Sequence, residues 1–438
     1  MEETMSDVAV GIYSIIILLA LFLTGLEMAY CMVLVGFLGF TFLMSFSAAS
    51  NLVVKDFFDT FTTYSYTVIP LFIIMGELAQ NSDIAKRLYT GAQKWFGHIP
   101  GGLAMTTVVG ATAFKAMCGS TLATVGTFSG LAIPEMDRYG YSKELSAGTV
   151  ASVSTIGMIL PPSTVLIIYG LEVEQSIGRL FLAGILPALM ISLFFMGVIF
   201  GWVSLQPEIA PRGAKSTWRE RLVVIPDALI ILIVFGIVIG GMITGFFSPT
   251  EAGTIGTIAI FLLALTRREI NSKMLVNSFR GSLKTSIMVL MLIAGSNIFG
   301  HFLAITEIPM ITANWAAALP LSKTLIMIII IVIYLIGGSI MDDLAFMVLA
   351  TPIFFPTVVN LGYDPIWFGI LICITLMIGG IIPPIAIYVF ILGNITGLPF
   401  KTIYKGVVPF LTALVLALVI MFVFPDFTTW LPNRLMGK

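Results

Sequence analysis

Long apolar runs recur along the chain, separated by short polar segments. A helix needs about 20 apolar residues to cross roughly 30 Å of hydrocarbon, and these runs lack the strict alternation of a membrane-spanning β-strand. The pattern therefore predicts an all-α polytopic membrane protein. The candidate full spans lie near residues 8–25, 28–47, 60–79, 144–170, 180–204, 223–244, 250–265, 285–304, 366–396 and 405–424.

Two further apolar stretches, residues 102–133 and 324–355, carry small and polar residues at mid-length, where a single spanning helix should be most apolar. Each stretch is better interpreted as a re-entrant helical hairpin of two half-length helices. Such a turn is tolerated at membrane depth only where protein or a wet cavity satisfies its backbone groups. The mid-length residues are Cys118-Gly119-Ser120-Thr121 in the first stretch and Gly337-Gly338-Ser339 and Asp342-Asp343 in the second.

The chain contains an internal repeat. A shift of 222 positions (383 − 161 = 222) superposes Pro161-Pro162 on Pro383-Pro384 without a gap. Each copy has three spans, a connecting arm, a hairpin, a span broken at Pro-Pro and a final span, an arrangement typical of secondary transporters. The same shift superposes Leu122-Ala123 on Leu344-Ala345, Pro134 on Pro356, Gly140-Tyr141 on Gly362-Tyr363, Ile156-Gly157 on Ile378-Gly379, Gly184 on Gly406 and Pro187 on Pro409.

The two copies are predicted to be inverted, because five full spans separate the hairpins and an odd number reverses the orientation. Lys and Arg concentrate in cytoplasmic loops, and this rule places the N-terminus outside. The first hairpin then enters from the cytoplasm and the second from outside. The inner segments hold Lys86, Arg87, Lys94, Arg138, Lys143, Arg212, Lys215, Arg219, Arg221, Arg267, Arg268, Lys273, Arg280, Lys284, Lys401 and Lys405, whereas the outer segments hold only Lys55, Arg179, Lys323, Arg434 and Lys438.

This organisation predicts five segments. They are residues 1–101 (first-repeat scaffold helices and interfacial arm), 102–204 (first hairpin, broken helix and following span), 205–222 (cytoplasmic loop), 223–323 (second-repeat scaffold helices and arm) and 324–438 (second hairpin, broken helix and last span). The arms, near residues 80–100 and 302–322, either brace a fixed frame or serve only as topogenic anchors at the interface.

The prolines of each break cannot donate a backbone hydrogen bond, so carbonyls one turn earlier are left free. Free carbonyls, hydroxyls and carboxylates are hard oxygen ligands that suit sodium. We expect each hairpin tip to face its break near the midplane. Of the adjacent carboxylates at the second tip, one faces the ion and the other caps the following half-helix. The sodium candidates are Gly119, Ser120, Thr155 and Gly157 in the first copy and Gly338, Asp342, Asp343, Thr375 and Gly379 in the second.

A hairpin helix that starts at its tip points its positive dipole end at the site, which favours an anionic substrate. Lys115 stands in an otherwise apolar hairpin, where an ionisable residue is a functional candidate. It either pairs with a substrate carboxylate or sulfonate, or snorkels to the cytoplasmic side or pairs with a fixed acid. The substrate-binding candidates are Lys115, Ser120, Thr121 and Ser163.

Other polar residues are interpreted as structural. Glu77 and Glu251, near span ends, are expected to be solvated or to cap helices, with a direct role as the weaker alternative. His301 is expected to be a satisfied polar residue, with a proton relay as the alternative. The cysteines Cys31, Cys118 and Cys373 are far apart and predict packed thiols.

Composition excludes other classes of protein. Hydrophobic residues make up 58% of the chain, charged residues 10%, and the net charge is −1, so there is no basic field for nucleic acid. The acidic leader before the first run is not a cleavable signal peptide.

An intramembrane enzyme is disfavoured because the chain has no His-Glu-x-x-His, Gly-x-Ser-x-Gly or phosphate-loop motif. A non-transporting subunit of a respiratory complex leaves the paired hairpins unexplained. No cofactor is expected apart from sodium as the coupling ion.

With these motifs, the chain resembles the large membrane subunit of tripartite ATP-independent periplasmic (TRAP) transporters. The resemblance covers essentially the whole chain. The residues that carry it are Ile133-Pro134-Glu135-Met136 through Gly140-Tyr141, Gly157-Met158-Ile159-Leu160-Pro161-Pro162-Ser163, Glu174-Gln175-Ser176-Ile177-Gly178 through Leu182-Ala183-Gly184-Ile185-Leu186-Pro187, Phe247-Ser248-Pro249-Thr250-Glu251-Ala252 and Gly379-Gly380-Ile381-Ile382-Pro383-Pro384.

The resemblance implies an elevator-type, sodium-driven importer of small organic acids in the bacterial inner membrane. It also implies two partners, a small TRAP membrane subunit and a periplasmic substrate-binding protein. The sequence departs from the family pattern at the first tip, where Lys115, Met117 and Cys118 precede Gly119, and this indicates a small, strongly acidic ligand such as a sulfonate. The second tip has Asp342-Asp343 where a single Asp followed by Pro is common. The alternative function is a stand-alone sodium/carboxylate elevator transporter that needs no binding protein.

Overall fold

The computed structural model describes residues 2–213 and 215–437, and every regular element in these residues is helical. Lys438, counted above with the outer segments, lies outside the described residues. The first half comprises α1 (Glu2–Leu23), α2 (Met28–Leu43), α3 (Phe46–Thr62), α4 (Val68–Asn81), α5 (Ile84–Phe96), α6 (Gly102–Cys118), α7 (Thr121–Arg138), α8 (Lys143–Ser154), α9 (Thr164–Glu172), α10 (Ile177–Leu205) and α11 (Trp218–Val223).

The second half repeats this order after α11. It comprises α12 (Ile225–Ile243), α13 (Pro249–Thr266), α14 (Ser272–Ile305), α15 (Ile308–Ala318), α16 (Lys323–Ile340), α17 (Asp343–Asn360), α18 (Pro365–Gly379), α19 (Ile387–Thr396), α20 (Phe400–Val423) and α21 (Asp426–Met436). Short 3-10 helices lie at Tyr64–Thr67, Thr155–Met158 and Pro207–Ile209.

The helices are those of a multi-pass membrane protein. Within the described residues, seven are long and apolar enough to cross a membrane, or up to eight if one bent pair is a single span. Both legs of the second predicted hairpin, α16 and α17, pass this test of length and composition. The seven are Ile177–Leu205, Trp218–Ile243, Pro249–Thr266, Ser272–Ile305, Lys323–Ile340, Asp343–Asn360 and Phe400–Val423.

The repeat predicted from the sequence reappears in the helix boundaries. Helices α7 and α17 begin 222 residues apart (343 − 121 = 222), and so do α8 and α18 (365 − 143 = 222). The copies differ in one place. In the first copy the third span is replaced by two segments, α3 and the segment that holds α4, which meet at a bend of 55°. In the second copy the same part of the chain is the single long helix α14. The predicted span near 60–79 therefore begins later, at Val68.

The division lies at Thr63, where α3 ends and the backbone becomes extended (φ −67°, ψ 119°). Ser45 caps α3, because its Oγ accepts a hydrogen bond from the Ala48 amide at 3.2 Å, and this starts a new helix shortly after α2 ends. Helix α3 also carries Lys55, Asp56 and Asp59, and so many charged side chains make a membrane crossing unfavourable.

The two copies pack crosswise. Helix α2 packs on α14 and α4 on α13, while α8 packs on α20 and α10 on α18. Around the breaks, α9 contacts α17 and α19 contacts α7. Helices of each copy thus pack extensively against helices of the other copy, which places the two helix breaks and the two predicted tips in one central region.

The arm helix α5 is tied to the loop between α13 and α14. Arg87 Nη2 lies 2.8 Å from Glu269 Oε1, and the Glu269 side chain is only 9% exposed.

We expect Arg87→Ala to lower the free energy of unfolding by about 1–3 kcal/mol, because it leaves a shielded carboxylate without its partner. Thermal unfolding of the purified chain measures this effect. Lys94→Ala is the matched control, since Lys94 lies on the same helix as Arg87 but pairs with the more exposed Glu220 of α11, a pair that should contribute at most about 1 kcal/mol. Equal effects of the two substitutions would contradict the prediction.

Candidate functional site

The turn between α6 and α7 forms the first tip. Gly119 ends α6 with a left-handed backbone (φ 62°), and Ser120 caps α7 by accepting from the Ala123 amide at 3.3 Å. Lys115 lies in the last turn of α6 and is completely buried. Its Nζ donates a hydrogen bond to the Ser120 carbonyl at 2.7 Å. Lys115 therefore links the end of α6 to the start of α7 by a buried hydrogen bond.

The first helix break follows α8. Thr155 begins a 3-10 turn, and its Oγ1 donates to the Ser152 carbonyl at 2.8 Å. Pro161 and Pro162 have no amide proton for the carbonyls of Gly157 and Met158, as the sequence predicted. The Ser163 Oγ replaces the missing donor at one of these carbonyls, because it donates to the Met158 carbonyl at 2.6 Å. The same Oγ accepts from the Leu166 amide at 3.3 Å and so caps α9.

The first tip packs directly on the first break. Thr164 Oγ1 donates to the Gly119 carbonyl at 3.3 Å, and a side-chain carbon at Gly119 would lie 2.6 Å from the Pro162 carbonyl oxygen. A side-chain carbon at Gly157 would overlap the Lys115 Nζ. Glycine is therefore required at position 119, and glycine at position 157 leaves the space that the Lys115 side chain occupies.

The second tip packs on the second break in the same way. The Ser339 carbonyl accepts from the amides of Ile385 and Ala386 at 3.1 and 3.4 Å. A side-chain carbon at Gly379 would lie 2.7 Å from the Gly338 carbonyl carbon. Thr375, one turn before the break, is buried and its Oγ1 donates to the Leu371 carbonyl at 2.9 Å. The predicted pairing of each tip with its own break is thus present in both copies.

The two carboxylates at the second tip have different surroundings. Asp342 Oδ1 caps α17 by accepting from the amides of Leu344 and Ala345 at 3.1 and 3.4 Å. Asp343 is the first residue of α17 and is buried, with the Tyr388 side chain as a polar neighbour. The Tyr388 hydroxyl is buried and makes no hydrogen bond. The structure therefore assigns the capping role to Asp342 and leaves the Asp343 carboxylate available to a ligand.

A cavity of about 690 Å³, including its open mouth, lies between the two tips and the helices α4 and α14. The N-terminal turns of α7, α9, α17 and α19 all border it. In the described part of the chain, no Lys or Arg side chain lines it. Its polar lining comprises Glu77, Gln80, Ser120, Thr121, Thr164, Thr285, Asp342, Asp343 and Tyr388.

The predicted site residues divide into two groups. Gly119, Ser120, Thr121, Asp342 and Asp343 line the cavity. The others lie behind the tips or within the breaks and do not line it, namely Lys115, Thr155, Gly157, Ser163, Gly338, Thr375 and Gly379.

Sequence reasoning missed the cavity residues Gln80, Thr164, Thr285 and Tyr388. Thr164 could have been found, because it follows Ser163 at the start of a half-helix. The repeat gives no signal for Tyr388, whose counterpart in the first copy is Leu166 (388 − 222 = 166).

The residues interpreted as structural have partners in the structure. Glu251 forms a capping box with Ser248 at the start of α13, as predicted. His301 Nδ1 lies 2.9 Å from Asp56 Oδ2, which confirms a satisfied polar residue. Glu77 lines the cavity and its Oε2 accepts from Asn81 at 3.3 Å. The three cysteines are free and buried, as expected of packed thiols.

The cavity combines two kinds of electrostatic environment. Residues in the first turns of four helices line it, and helix N-termini favour anions. The carboxylates of Glu77, Asp342 and Asp343 also border it, and these attract cations. Within the described residues, no group of three His, Cys, Asp or Glu side chains could hold a metal ion of the transition type. An organic anion together with a hard cation is the ligand pair that this lining suits.

Comparison with known proteins decides the family. Residues 15–427 match the family described as the tripartite ATP-independent periplasmic transporter, DctM component. The chain belongs to this family. The C4-dicarboxylate TRAP transporter large permease protein DctM of Pseudomonas aeruginosa is 33% identical over 394 residues, covering 90% of this chain and 92% of the relative. The isethionate TRAP transporter permease protein DctMQ of Oleidesulfovibrio alaskensis is 32% identical over 405 residues, covering 90% of this chain and 62% of the relative.

The resemblance inferred from the motifs is therefore confirmed, and the chain is a TRAP transporter permease and not an enzyme. Among solved structures, the YdaH transporter of Alcanivorax borkumensis superposes with a TM-score of 0.66 at 13% identity, covering 88% of this chain and 90% of that chain. At this identity the likeness shows the fold alone. The TRAP large permease thus shares its helical architecture with another membrane transporter.

Proposed function

We propose that this TRAP permease is a sodium-coupled importer of a small organic acid, either a carboxylate or a sulfonate. The single observation that carries the proposal is the central cavity, where four helix N-termini meet two acidic residues at a tip. The permease would reside in the bacterial inner membrane with a small TRAP subunit and receive its substrate from a periplasmic binding protein. The family and its multi-pass helices support this assignment.

The substrate class rests on the cavity and on the relatives. The two relatives above are named for a C4-dicarboxylate and for isethionate, which is a sulfonate. With no basic side chain in the described lining, the backbone amides at the helix N-termini and the hydroxyl of Thr121 are the donors for an acid. Ser120 contributes to the substrate site because it lines the cavity at the start of α7. Ser163 acts indirectly, because its hydroxyl holds the break together.

Sodium is proposed to bind where a tip meets a break. In the second copy the ligands would come from Gly338, Asp342, Asp343, Thr375 and Gly379, and in the first copy from Gly119, Ser120, Thr155 and Gly157. The Thr155 and Thr375 hydroxyls donate within their own helices, which leaves oxygen lone pairs free to coordinate a cation. Carbonyls freed by the prolines supply further hard oxygen ligands.

The transport movement is proposed to be of the elevator type. Residues 102–204 and 324–438, with the two re-entrant hairpins, would move as a unit against the scaffold formed by residues 1–101 and 223–323. The cavity contacts α4 through Glu77 and Gln80 and α14 through Thr285. If the copies are inverted and the N-terminus is outside, these residues lie in the cytoplasmic halves of α4 and α14. That arrangement corresponds to a cytoplasm-facing state.

Reconstitution tests the proposal. We expect uptake of radiolabelled succinate or isethionate into proteoliposomes to rise by about 5- to 150-fold with an inward sodium gradient, the usual range of coupling between two ligands. The liposomes contain the permease and its small subunit, with binding protein outside. A potassium gradient of equal size is the control. Uptake indifferent to sodium would exclude the proposed coupling, and full uptake without binding protein would favour the stand-alone transporter.

A further inference from the structure

A buried lysine lies at the first tip and is not required by the proposed transport of an acid. Lys115 is completely buried, and it is absent from the cavity lining. Within the described residues, none of the ion pairs involves it. Its hydrogen-bond acceptor is the Ser120 carbonyl at 2.7 Å. A burial this complete separates Lys115 from both the substrate cavity and the membrane surface.

The Lys115 Nζ lies in a position that suits a cation. It packs against Gly157, where the 3-10 turn after α8 meets the Pro-Pro break. Two helices end beside it, α6 at Cys118 and α8 at Ser154. Carbonyl ends of helices carry negative partial charge and stabilise cations. The Gly157 carbonyl also lacks a backbone donor, because the residue four positions later is Pro161.

The internal repeat provides a comparison within one chain. The counterpart of Lys115 in the second copy is Gly337 (337 − 115 = 222), which has no side chain. Conversely, Ser120 and Thr121 correspond to Asp342 and Asp343 (342 − 120 = 222). The first tip therefore carries a lysine and no carboxylate, and the second tip carries two carboxylates and no basic side chain.

We propose that the Lys115 ammonium takes the place of a coupling ion at the first tip, so that sodium binds only at the second tip. This inference rests on the proposed sodium-coupled function and narrows its two sodium sites to the one at the second tip. The tethered ammonium then lies at Ser120 and Gly157, and a sodium ion beside it would be repelled by a like charge with little solvent between them. The Lys115 side chain thereby holds the first tip on its break without an ion from solution.

Sodium binding to the purified full-length chain tests the inference. We expect wild type to bind about one 22Na⁺ ion per chain and Lys115→Ala to bind about one more, because truncation leaves a cavity lined by carbonyl oxygens. Lys115→Met fills the space with a neutral side chain and should bind the same number as wild type. Lys86→Ala is the matched control, since it removes an exposed lysine and should change nothing.

The possible outcomes separate this inference from the proposed function. If wild type binds sodium and Lys115→Ala binds no more, the ammonium does not replace an ion and only this inference is overturned. If wild type binds no sodium but Lys115→Ala does, the ammonium occupies an ion site as inferred, but the sodium site at the second tip and the proposed coupling both fail. If neither binds sodium, both fail.

A double-mutant cycle keeps the inference testable if Lys115→Ala is poorly folded in detergent. A side-chain carbon at Gly157 would overlap the Lys115 Nζ, so Gly157→Ala should lower the melting temperature of wild type. In the Lys115→Met background, whose flexible side chain carries no fixed hydrogen bond, the same substitution should lower it clearly less. Equal losses in the two backgrounds would show that the ammonium is not held at the break and would overturn the inference.

Discussion

Asp343→Asn is expected to weaken sodium binding by on the order of 100-fold, which corresponds to about 3 kcal/mol, the scale measured for removing one partner of a buried charge pair. Asp343 is buried at the second tip and lines the central cavity. Asparagine keeps the shape of the side chain and removes its charge. The sodium concentration that gives half-maximal uptake, together with 22Na⁺ binding, measures the effect.

The neighbouring carboxylate supplies a matched control. Asp342 caps α17 through its Oδ1, and asparagine is as good a cap as aspartate. Asp342→Asn should therefore affect sodium binding much less than Asp343→Asn, whereas Asp342→Ala should reduce uptake because it also removes the cap. A larger loss of sodium affinity in Asp342→Asn than in Asp343→Asn would reverse the assignment of the two carboxylates.

The second large effect is expected at the first tip. Gly119→Ala should reduce uptake by at least about tenfold, since a left-handed backbone costs an ordinary residue about 1–2 kcal/mol before any steric clash. The added carbon would also lie 2.6 Å from the Pro162 carbonyl oxygen, where real carbons do not lie. The tip must then move away from the break, which disrupts the contacts of Thr164 and Lys115 with it.

Gly126→Ala is the control for this substitution. Gly126 lies on α7, and a side-chain carbon there meets nothing within 4 Å. Alanine should therefore leave uptake unchanged and stabilise the helix by up to about 1 kcal/mol. Uptake and thermal unfolding are measured on both variants. Normal uptake in Gly119→Ala would show that the close packing of tip and break is not required for transport.

Much of the architecture could be predicted from the sequence. The repeat of 222 residues appears in the starting points of α7 and α17 and of α8 and α18. The prolines at 161–162 and 383–384 correctly marked the helix breaks, because a missing amide proton acts locally. Small polar residues likewise marked both tips. The bend after α3 was missed, since the apolar run near residue 60 gave no sign that the backbone would turn at Thr63.

The sequence by itself determined the membrane class, the duplicated unit and the positions of tips and breaks, because hydropathy, proline and glycine act over a few neighbouring residues. Only the tertiary structure decided that Lys115 turns onto Gly157 instead of the cavity, that Asp342 caps a helix while Asp343 stays available, and that Tyr388 and Gln80 join the lining. Those outcomes depend on how α4, α14 and the two copies pack crosswise, and contacts between residues far apart in the chain leave no local pattern.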